Sequence, residues 1–168
     1  MIDVHEPASR VNDDTLGPAI VNWSWIGTGA YTAIAILAAI WPDHLASAAA
    51  VVSIVLFLVG CVVFLAAYAI AVQRSRTQVI GIGGLYFLSG TAPVRIRVRL
   101  LSSLGVQLAV AIVTSSVRLY TPLAFGFLVP VYGLGLCGLW GARHGTFADR
   151  PPPPHRRPRG ERRRRPTP

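Results

Sequence analysis

Four long runs of apolar residues, separated by short polar or proline-containing stretches, dominate the pattern of the chain. Each run is near or above the ~20 residues that a helix needs to cross ~30 Å of hydrocarbon. Four such runs leave too little polar surface for a soluble globular protein. We therefore expect an all-α membrane protein, with four transmembrane helices in a bundle. The predicted helices cover about residues 21–41, 45–72, 94–117 and 119–141.

The stretches outside these helices divide into two tails and one long connection. Residues 1–20 form an N-terminal tail, and residues 73–93 form a loop between the second and third helices. Residues 143–168 form a tail rich in proline and arginine, for which the composition predicts disorder. Within the fourth helix, Pro130 predicts a kink near residues 126–130.

An uncharged stretch, Val79–Leu88, lies inside the long connection. It has about half the length that a membrane span requires, which excludes a fifth span. Its glycines and apolar residues predict a short element lying in the membrane interface, and partial re-entry into the bundle is the second interpretation. A nucleotide-binding loop is disfavoured, because the glycine spacing matches no phosphate-binding pattern. The side chains expected to dip into the acyl boundary are Leu85, Tyr86, Phe87 and Leu88.

The residues after this stretch predict where the third helix begins. Thr91 is expected to act as its N-cap, with Pro93 in the first turn. Apolar residues and arginines alternate over residues 94–100, a pattern that also fits a strand. A lone strand at the interface would leave its backbone groups unpaired, so the helix is the preferred interpretation.

The charge composition supports a membrane protein and suggests its orientation. Of the 168 residues, 52% are hydrophobic and 14% charged, and all sixteen basic residues are arginine, against seven acidic residues. Because the arginines concentrate in the long connection and the C-terminal tail, the positive-inside rule places both termini and this loop in the cytoplasm. We expect an inner (plasma) membrane protein with its two short loops outside.

These clustered arginines are the expected contacts for a partner. Basic side chains beside a membrane exit attract anionic lipid, which lies nearer to them than any nucleic acid. We therefore expect anionic membrane lipid, or a cytoplasmic face of a membrane-protein partner, to bind here, and nucleic-acid binding is disfavoured. The predicted contact residues are Arg74, Arg76, Arg95, Arg97, Arg99, Arg162, Arg163, Arg164 and Arg165.

Small and polar residues within the helices predict how the bundle packs. Gly135, Gly138 and Gly141 recur at every third residue, which lets a neighbouring helix approach closely. Packing within one chain and assembly of several copies through this glycine face are both open interpretations. Gln107 is expected to form hydrogen bonds between helices.

The pattern contains no candidate for catalysis or metal binding. No ionisable residue lies clearly inside a predicted span, although proton relays and ion pathways require such residues. No acid is paired with a base, and no nucleophile with a base. Cys61 and Cys137 lie inside apolar runs, without a second ligand at zinc-type spacing. We expect no catalytic residues, no cofactor and no metal, and thus a protein that is not an enzyme.

Two segments resemble a known group of proteins. The sequence "GLYFLSGTAP" before an arginine-bearing helix, and "GLGLCGLWGARHGTF" at the end of the last helix, are similar to small four-helix integral membrane proteins of actinobacteria. The resemblance covers roughly residues 20–147. It implies the four-helix membrane fold, and it implies no activity, ligand or catalytic residue.

These observations favour a scaffold or accessory subunit that contacts anionic lipid or cytoplasmic partners through its basic loop and tail. The alternative is a small transporter or channel component, which the kinked and glycine-rich fourth helix would suit.

Overall fold

The computed structural model describes residues 8–117 and 122–150, and their side chains from residue 17 onward. Within these ranges the chain forms helices and no strand, and an isolated antiparallel bridge joins Gln78 to Asp149. A 3₁₀ helix, Pro122–Leu128, precedes the last helix. The α-helices are α1 (Ala8–Ile40), α2 (Pro42–Arg74), α3 (Ile82–Tyr86), α4 (Val94–Val117) and α5 (Pro130–His144).

Four of these helical segments are long and apolar enough to cross a membrane. At a rise of ~1.5 Å per residue, each exceeds the ~30 Å of a hydrocarbon core. The prediction of an all-α bundle with four membrane-spanning helices is thereby confirmed. The candidate spans are Gly17–Ile40, Pro42–Arg74, Val94–Val117 and Pro122–His144, the last of which includes the 3₁₀ helix.

α1 and α2 are joined by a very short turn. Trp41 is the single residue between them, and its carbonyl accepts a hydrogen bond from the amide of Leu45 at 3.2 Å. Pro42 starts α2, where a helix tolerates proline because the first amides have no partner within the helix. This connection makes α1 and α2 antiparallel neighbours.

Burial in α2 is the reverse of that in a soluble helix. Its buried residues are small, whereas many of its large apolar side chains are exposed, including Leu58, Val62 and Leu65. In a membrane, exposed apolar side chains face lipid, and small residues let helix backbones approach. The buried residues of α2 are Ala49, Ala50, Ser53, Gly60, Ala67 and Ala71.

α5 lies at the centre of the molecule. It contacts α1, α2, α3 and α4, and most of its residues are buried. Within the main apolar core, Tyr132, Leu136 and Trp140 of α5 pack with Leu100 of α4 and Ile20 of α1. The other elements are therefore arranged around α5, the last of the described helices.

Several helix boundaries differ from the predicted ones. α1 begins at Ala8 instead of residue 21 and continues through Gly17 and Pro18, because hydropathy marks where a helix enters hydrocarbon and does not mark where the helix itself begins. α2 extends from Pro42 to Arg74, beyond the predicted 45–72. α4 occupies Val94–Val117, where the third helix was expected.

The fourth predicted helix is divided in two. Its first part, Pro122–Leu128, is 3₁₀, and α5 starts at Pro130, so the break falls at the end of the range 126–130 where a kink was expected. Residues 118–121 lie outside the described part of the chain. Proline at position 130 lacks the amide proton that would continue the hydrogen-bond ladder, which explains the break.

The described residues after α5 run to Arg150 and are hydrogen-bonded to the loop, whereas the composition predicted a disordered tail from residue 143. The amide of Val79 donates to the carbonyl of Ala148, and the amide of Arg150 donates to the carbonyl of Thr77, both at 2.8 Å. These bonds attach the segment to the residues that follow α2. The composition of the tail could not predict this pairing, because hydrogen bonds between main-chain groups produce only a weak pattern in a sequence. Residues 151–168 lie outside the described part of the chain.

Candidate functional site

The predicted basic residues that the structure describes lie at one end of the bundle. α2 ends there and α4 begins there, so the loop between them and the first turns of α4 share this end with the last turn of α5. We call it the arginine end and define it by Arg74, Arg76, Arg95, Arg97 and Arg99. Arg162, Arg163, Arg164 and Arg165 lie outside the described residues.

Arg74 differs from the other four arginines because it binds the protein itself. One terminal nitrogen donates to the carbonyl of Ala142 at 2.6 Å, and the other donates to the carbonyl of Gly145 at 3.0 Å. Its Nε donates to Gln78, and its Cζ lies 5.5 Å from the ring centroid of Phe147. A cation at a helix C-terminus satisfies carbonyls that have no partner within the helix. Three hydrogen bonds to the protein thus engage Arg74, so it is less available to lipid or a partner than an exposed arginine, and its predicted contact stays a prediction.

The other four arginines are exposed. Arg76 follows α2, and the remaining three occupy the first two turns of α4, where they alternate with apolar residues. Long arginine side chains near a helix end can extend to the headgroup layer while their methylenes lie along apolar surface. The structure thus leaves a group of guanidinium groups free to meet ligands at this end: Arg76, Arg95, Arg97 and Arg99.

The short element between α2 and α4 packs against the protein more than was expected. Leu85 and Tyr86 of α3 are buried, and so is Leu88, although all were expected to dip into lipid. Only Phe87 of the four predicted residues is exposed. The Tyr86 ring stacks on Phe64 of α2, with ring centroids 4.6 Å apart. This element therefore covers the ends of α2 and α5, and part of its apolar surface is available to lipid.

Thr91 stabilises this element and does not cap α4. Its hydroxyl donates to the carbonyl of Gly84 at 2.7 Å. The amides of Ile96 and Arg97 bond instead to the carbonyl of Pro93. The prediction of Thr91 as N-cap is therefore wrong, because the hydroxyl finds an acceptor within the folded loop, whose glycine-rich turns bring Gly84 near it.

The glycine face of α5 is filled by other parts of the same chain. A Cβ atom at Gly135 would lie 2.7 Å from the carbonyl oxygen of Gly60 in α2. At Gly138 it would overlap the Tyr86 ring, and at Gly141 the carbonyl oxygen of Leu85. Since real Cβ contacts essentially never fall under 3.0 Å, these positions require glycine. This face is consequently covered within the chain and is not available to a second copy.

Gln107 belongs to a buried cluster of polar side chains between α1 and α4. Its Nε2 donates to the hydroxyl of Thr28 at 2.7 Å, and Thr28 donates to the carbonyl of Ser24 at 2.8 Å. The hydroxyls of Ser24 and Ser103 are also hydrogen-bonded. Sequence reasoning identified Gln107 but missed the other three members of the cluster, Ser24, Thr28 and Ser103. The signal was present, because Ser24 and Thr28 are four residues apart, as are Ser103 and Gln107, which places each pair on one helix face.

Gly133 provides the space that this glutamine requires. A Cβ atom at Gly133 would lie 2.7 Å from Oε1 of Gln107. Among the described residues this oxygen has no hydrogen-bond partner. The space within the cluster is thus occupied by the cluster's own side chains. Their hydrogen bonds connect α1 to α4.

An apolar groove beside the arginine end was not expected from the sequence. It lies between the last turns of α2 and the element containing α3, and its volume is about 440 Å³. Its residues are separated in sequence by the loop, so no local pattern reveals it. We call it the α2–α3 groove; it is lined by Phe64, Tyr68, Ala71, Val72, Ser75, Ile80, Gly81, Ile82, Leu85, Tyr86, Phe87 and Leu134.

One polar group on this groove has an altered acidity. Burial raises the pKa of the Tyr86 hydroxyl above its ordinary value, and the neighbouring Tyr68 adds to this effect. A raised phenol pKa keeps the hydroxyl protonated throughout the physiological range, so Tyr86 is a neutral hydrogen-bond donor. In the described part of the chain this hydroxyl has no hydrogen-bond partner.

The described residues include no group of three or more histidine, cysteine or acidic side chains that could hold a metal ion. Cys61 and Cys137 are both free thiols. Two described features that could bind a ligand are the exposed arginines and the α2–α3 groove. No protein-family model, no curated protein and no solved structure matches this chain, so the likeness to small actinobacterial membrane proteins stays a prediction.

Proposed function

We propose that this multi-pass membrane protein is a scaffold or accessory subunit of the plasma membrane, without a catalytic site of its own. In this proposal, its arginine end faces the cytoplasm and binds anionic lipid headgroups or an acidic surface of a partner. The observation that carries it is the set of exposed guanidinium groups beside a membrane-spanning bundle: Arg76, Arg95, Arg97 and Arg99.

Electrostatics supports lipid as the first contact. A basic side chain near an anionic membrane surface gains ~1 kcal/mol, so four of them give a substantial preference for anionic over zwitterionic headgroups. Asp149 is the one acidic side chain described at this end, and it is exposed. Four exposed arginines outweigh it, so the described part of this end carries a net positive charge.

The contrast between the two ends supports the orientation. At the opposite end, the described polar groups include the exposed side chains of Asp43 and His44, near Trp41. The positive-inside rule depends on arginine and lysine in short loops, which here favours a cytoplasmic arginine end. Trp41, which is 55% exposed, suits the headgroup layer on the other side.

Lipid retention tests this proposal. The protein would be purified in a nonionic detergent, mixed with equal amounts of phosphatidylglycerol and phosphatidylcholine, and examined by native mass spectrometry. We expect preferential retention of phosphatidylglycerol, and a clearly smaller preference when Arg76, Arg95, Arg97 and Arg99 are all changed to Gln, because other arginines such as Arg143 and Arg150 remain. The matched control is His44→Gln at the opposite end, which should retain the preference.

Equal retention of the two lipids by the unaltered protein would contradict the lipid contact. The transporter alternative makes a different prediction, since vesicles reconstituted with the protein would then show a flux of ions or small amphiphiles. Such a flux, absent from protein-free vesicles, would contradict the role of an accessory subunit.

A further inference from the structure

The α2–α3 groove has the form of a binding site open to the membrane. One wall is the last turns of α2, from Phe64 to Ser75, and the other is the loop with α3. Its volume of about 440 Å³ falls within the ~300–1,000 Å³ typical of small-molecule sites. Its surface is almost entirely apolar, because its polar side chains are limited to two tyrosines and Ser75.

The rim of the groove continues the lipid-facing surface of α2. Tyr68 is 57% exposed and Val72 is 47% exposed on the helix, while Ile82 and Phe87 are exposed on the loop. In a membrane-spanning bundle such apolar surface faces acyl chains. An occupant of the groove therefore enters from the bilayer.

One end of the groove lies beside a basic segment of the chain. Ser75 lines the end where α2 stops, and Arg76 follows it with an exposed side chain. Arg74, by contrast, is engaged with the carbonyls at the end of α5. Arg76 does not line the groove, but it follows Ser75 directly in the chain, so an exposed arginine lies next to the end of an apolar trough. An acyl chain joined to a phosphate has the matching combination of an apolar and an anionic part.

We propose that the α2–α3 groove binds one anionic phospholipid, with an acyl chain in the trough and its phosphate against Arg76. This proposal deepens the proposed function and rests on it, since it assumes that the arginine end lies at an anionic membrane surface. It assigns a single saturable site, in addition to the weaker attraction exerted by all exposed arginines.

The polar groups must supply the selectivity of this site. Bulk lipid is as apolar as the groove, so burial of an acyl chain alone would not hold one lipid in preference to its neighbours. A guanidinium group forms directed hydrogen bonds with phosphate oxygens.

Two neighbouring glycines allow a matched test. A Cβ atom at Gly81 or at Gly83 would meet nothing within 4 Å, and neither residue has a positive φ, so a β-carbon fits at both positions. Gly81 lines the groove and Gly83 does not. Gly81→Phe places a ring where the acyl chain would lie, whereas Gly83→Phe adds the same ring elsewhere on the loop.

A second pair of variants keeps the test decisive if a glycine variant fails to fold. Val72 and Val59 are both on α2 and are 47% and 45% exposed, but only Val72 lines the groove. Val72→Trp fills the groove from the helix side, and Val59→Trp serves as its control. Thermal unfolding in detergent would show which of the four variants are folded.

Native mass spectrometry with phosphatidylglycerol at increasing concentration is the measurement. We expect one molecule to be retained with saturation, roughly tenfold weaker retention in Gly81→Phe and Val72→Trp, and unchanged retention in the two controls. Arg76→Gln should weaken phosphatidylglycerol and leave phosphatidylcholine unaffected. Because Gly81→Phe keeps every arginine, its general preference for anionic lipid should persist even though the saturable site is lost.

Three results would overturn the groove proposal. They are equal lipid retention by each variant and its control, retention that never saturates at one molecule, or a dimer of the chain that Gly81→Phe dissociates. The last result would identify a second copy as the occupant. If the fourfold arginine variant keeps its full anionic preference while Gly81→Phe loses the bound lipid, the proposed function and the phosphate contact of Arg76 both fail, and only a groove for an acyl chain remains.

Discussion

At the scale of single residues, two arginines with the same sequence context have different roles. Arg74 and Arg76 are two positions apart in one basic segment, and sequence reasoning treated them alike. The structure separates them, since Arg74 donates to Ala142 and Gly145 while Arg76 is exposed. The acceptors lie about seventy residues away, so no local pattern could reveal the difference. Of the predicted contact residues described here, Arg74 is therefore the one that belongs to the fold.

Replacement of Arg74 should weaken the bundle. Arg74→Gln removes two charge-assisted hydrogen bonds to the end of α5, and hydrogen bonds to charged groups contribute ~1.5–3 kcal/mol each when well formed. Because Arg74 is only partly buried, we expect a total loss of about 2 kcal/mol in the free energy of unfolding. Unfolding by sodium dodecyl sulfate in mixed micelles would measure it. Arg76→Gln is the control, and equal stability of the two variants would disprove the role assigned to Arg74.

At the scale of the elements, glycines determine which helices touch. Their spacing in α5 correctly marked a face for close approach, but spacing cannot name the neighbour. The structure shows Gly135 against Gly60 of α2, and Gly138 against Tyr86 of the loop. The loop between α2 and α4 was expected in the interface, because its length excludes a span. Its packing on α5 depends on glycines about fifty residues later, which a reading of the loop alone does not include.

The contact between α2 and α5 should therefore be sensitive to one methyl group. A Cβ atom at Gly60 would lie 2.6 Å from the backbone of Tyr132, so Gly60→Ala should cost about 1–3 kcal/mol through overpacking. Gly105 of α4 is the control, since a Cβ atom there meets nothing within 4 Å. Gly105→Ala should be neutral or stabilising by up to about 1 kcal/mol, because alanine favours helix. Thermal unfolding in detergent would compare the two, and a stabilised Gly60→Ala variant would contradict the close contact.

At the scale of the whole molecule, the fold class was predictable and the arrangement was not. Long apolar runs give the number of spans, since hydrocarbon must be crossed by helices whose backbone groups are satisfied internally. α4 occupies the predicted range, and the break before Pro130 follows from proline chemistry. The central position of α5, the apolar groove and the pairing of residues 145–150 with the loop depend on contacts between distant segments. Such contacts leave a weak signal in one sequence.

The orientation of the molecule can be tested by cysteine labelling. Gly83 and Ser89 are exposed on the loop at the arginine end, and His44 is exposed at the opposite end. In a variant with Cys61→Ala, we expect a membrane-impermeant maleimide to label Gly83→Cys and Ser89→Cys only from the cytoplasmic side. His44→Cys should be labelled only from outside. The reverse pattern would invert the topology and remove the basis for a cytoplasmic arginine end.

The central position of α5 also has a consequence for the order in which the protein is made. Chains are synthesised from the N-terminus, so α5, around which the other helices pack, leaves the ribosome after all of them. Until residues 130–150 are available, Gly60 has no Tyr132 beside it, and Arg74 has no carbonyl of Ala142 or Gly145 to bind. The earlier helices must therefore remain in the membrane in a partly assembled state until α5 has been synthesised. Completion of the bundle is an event that follows translation of its final span.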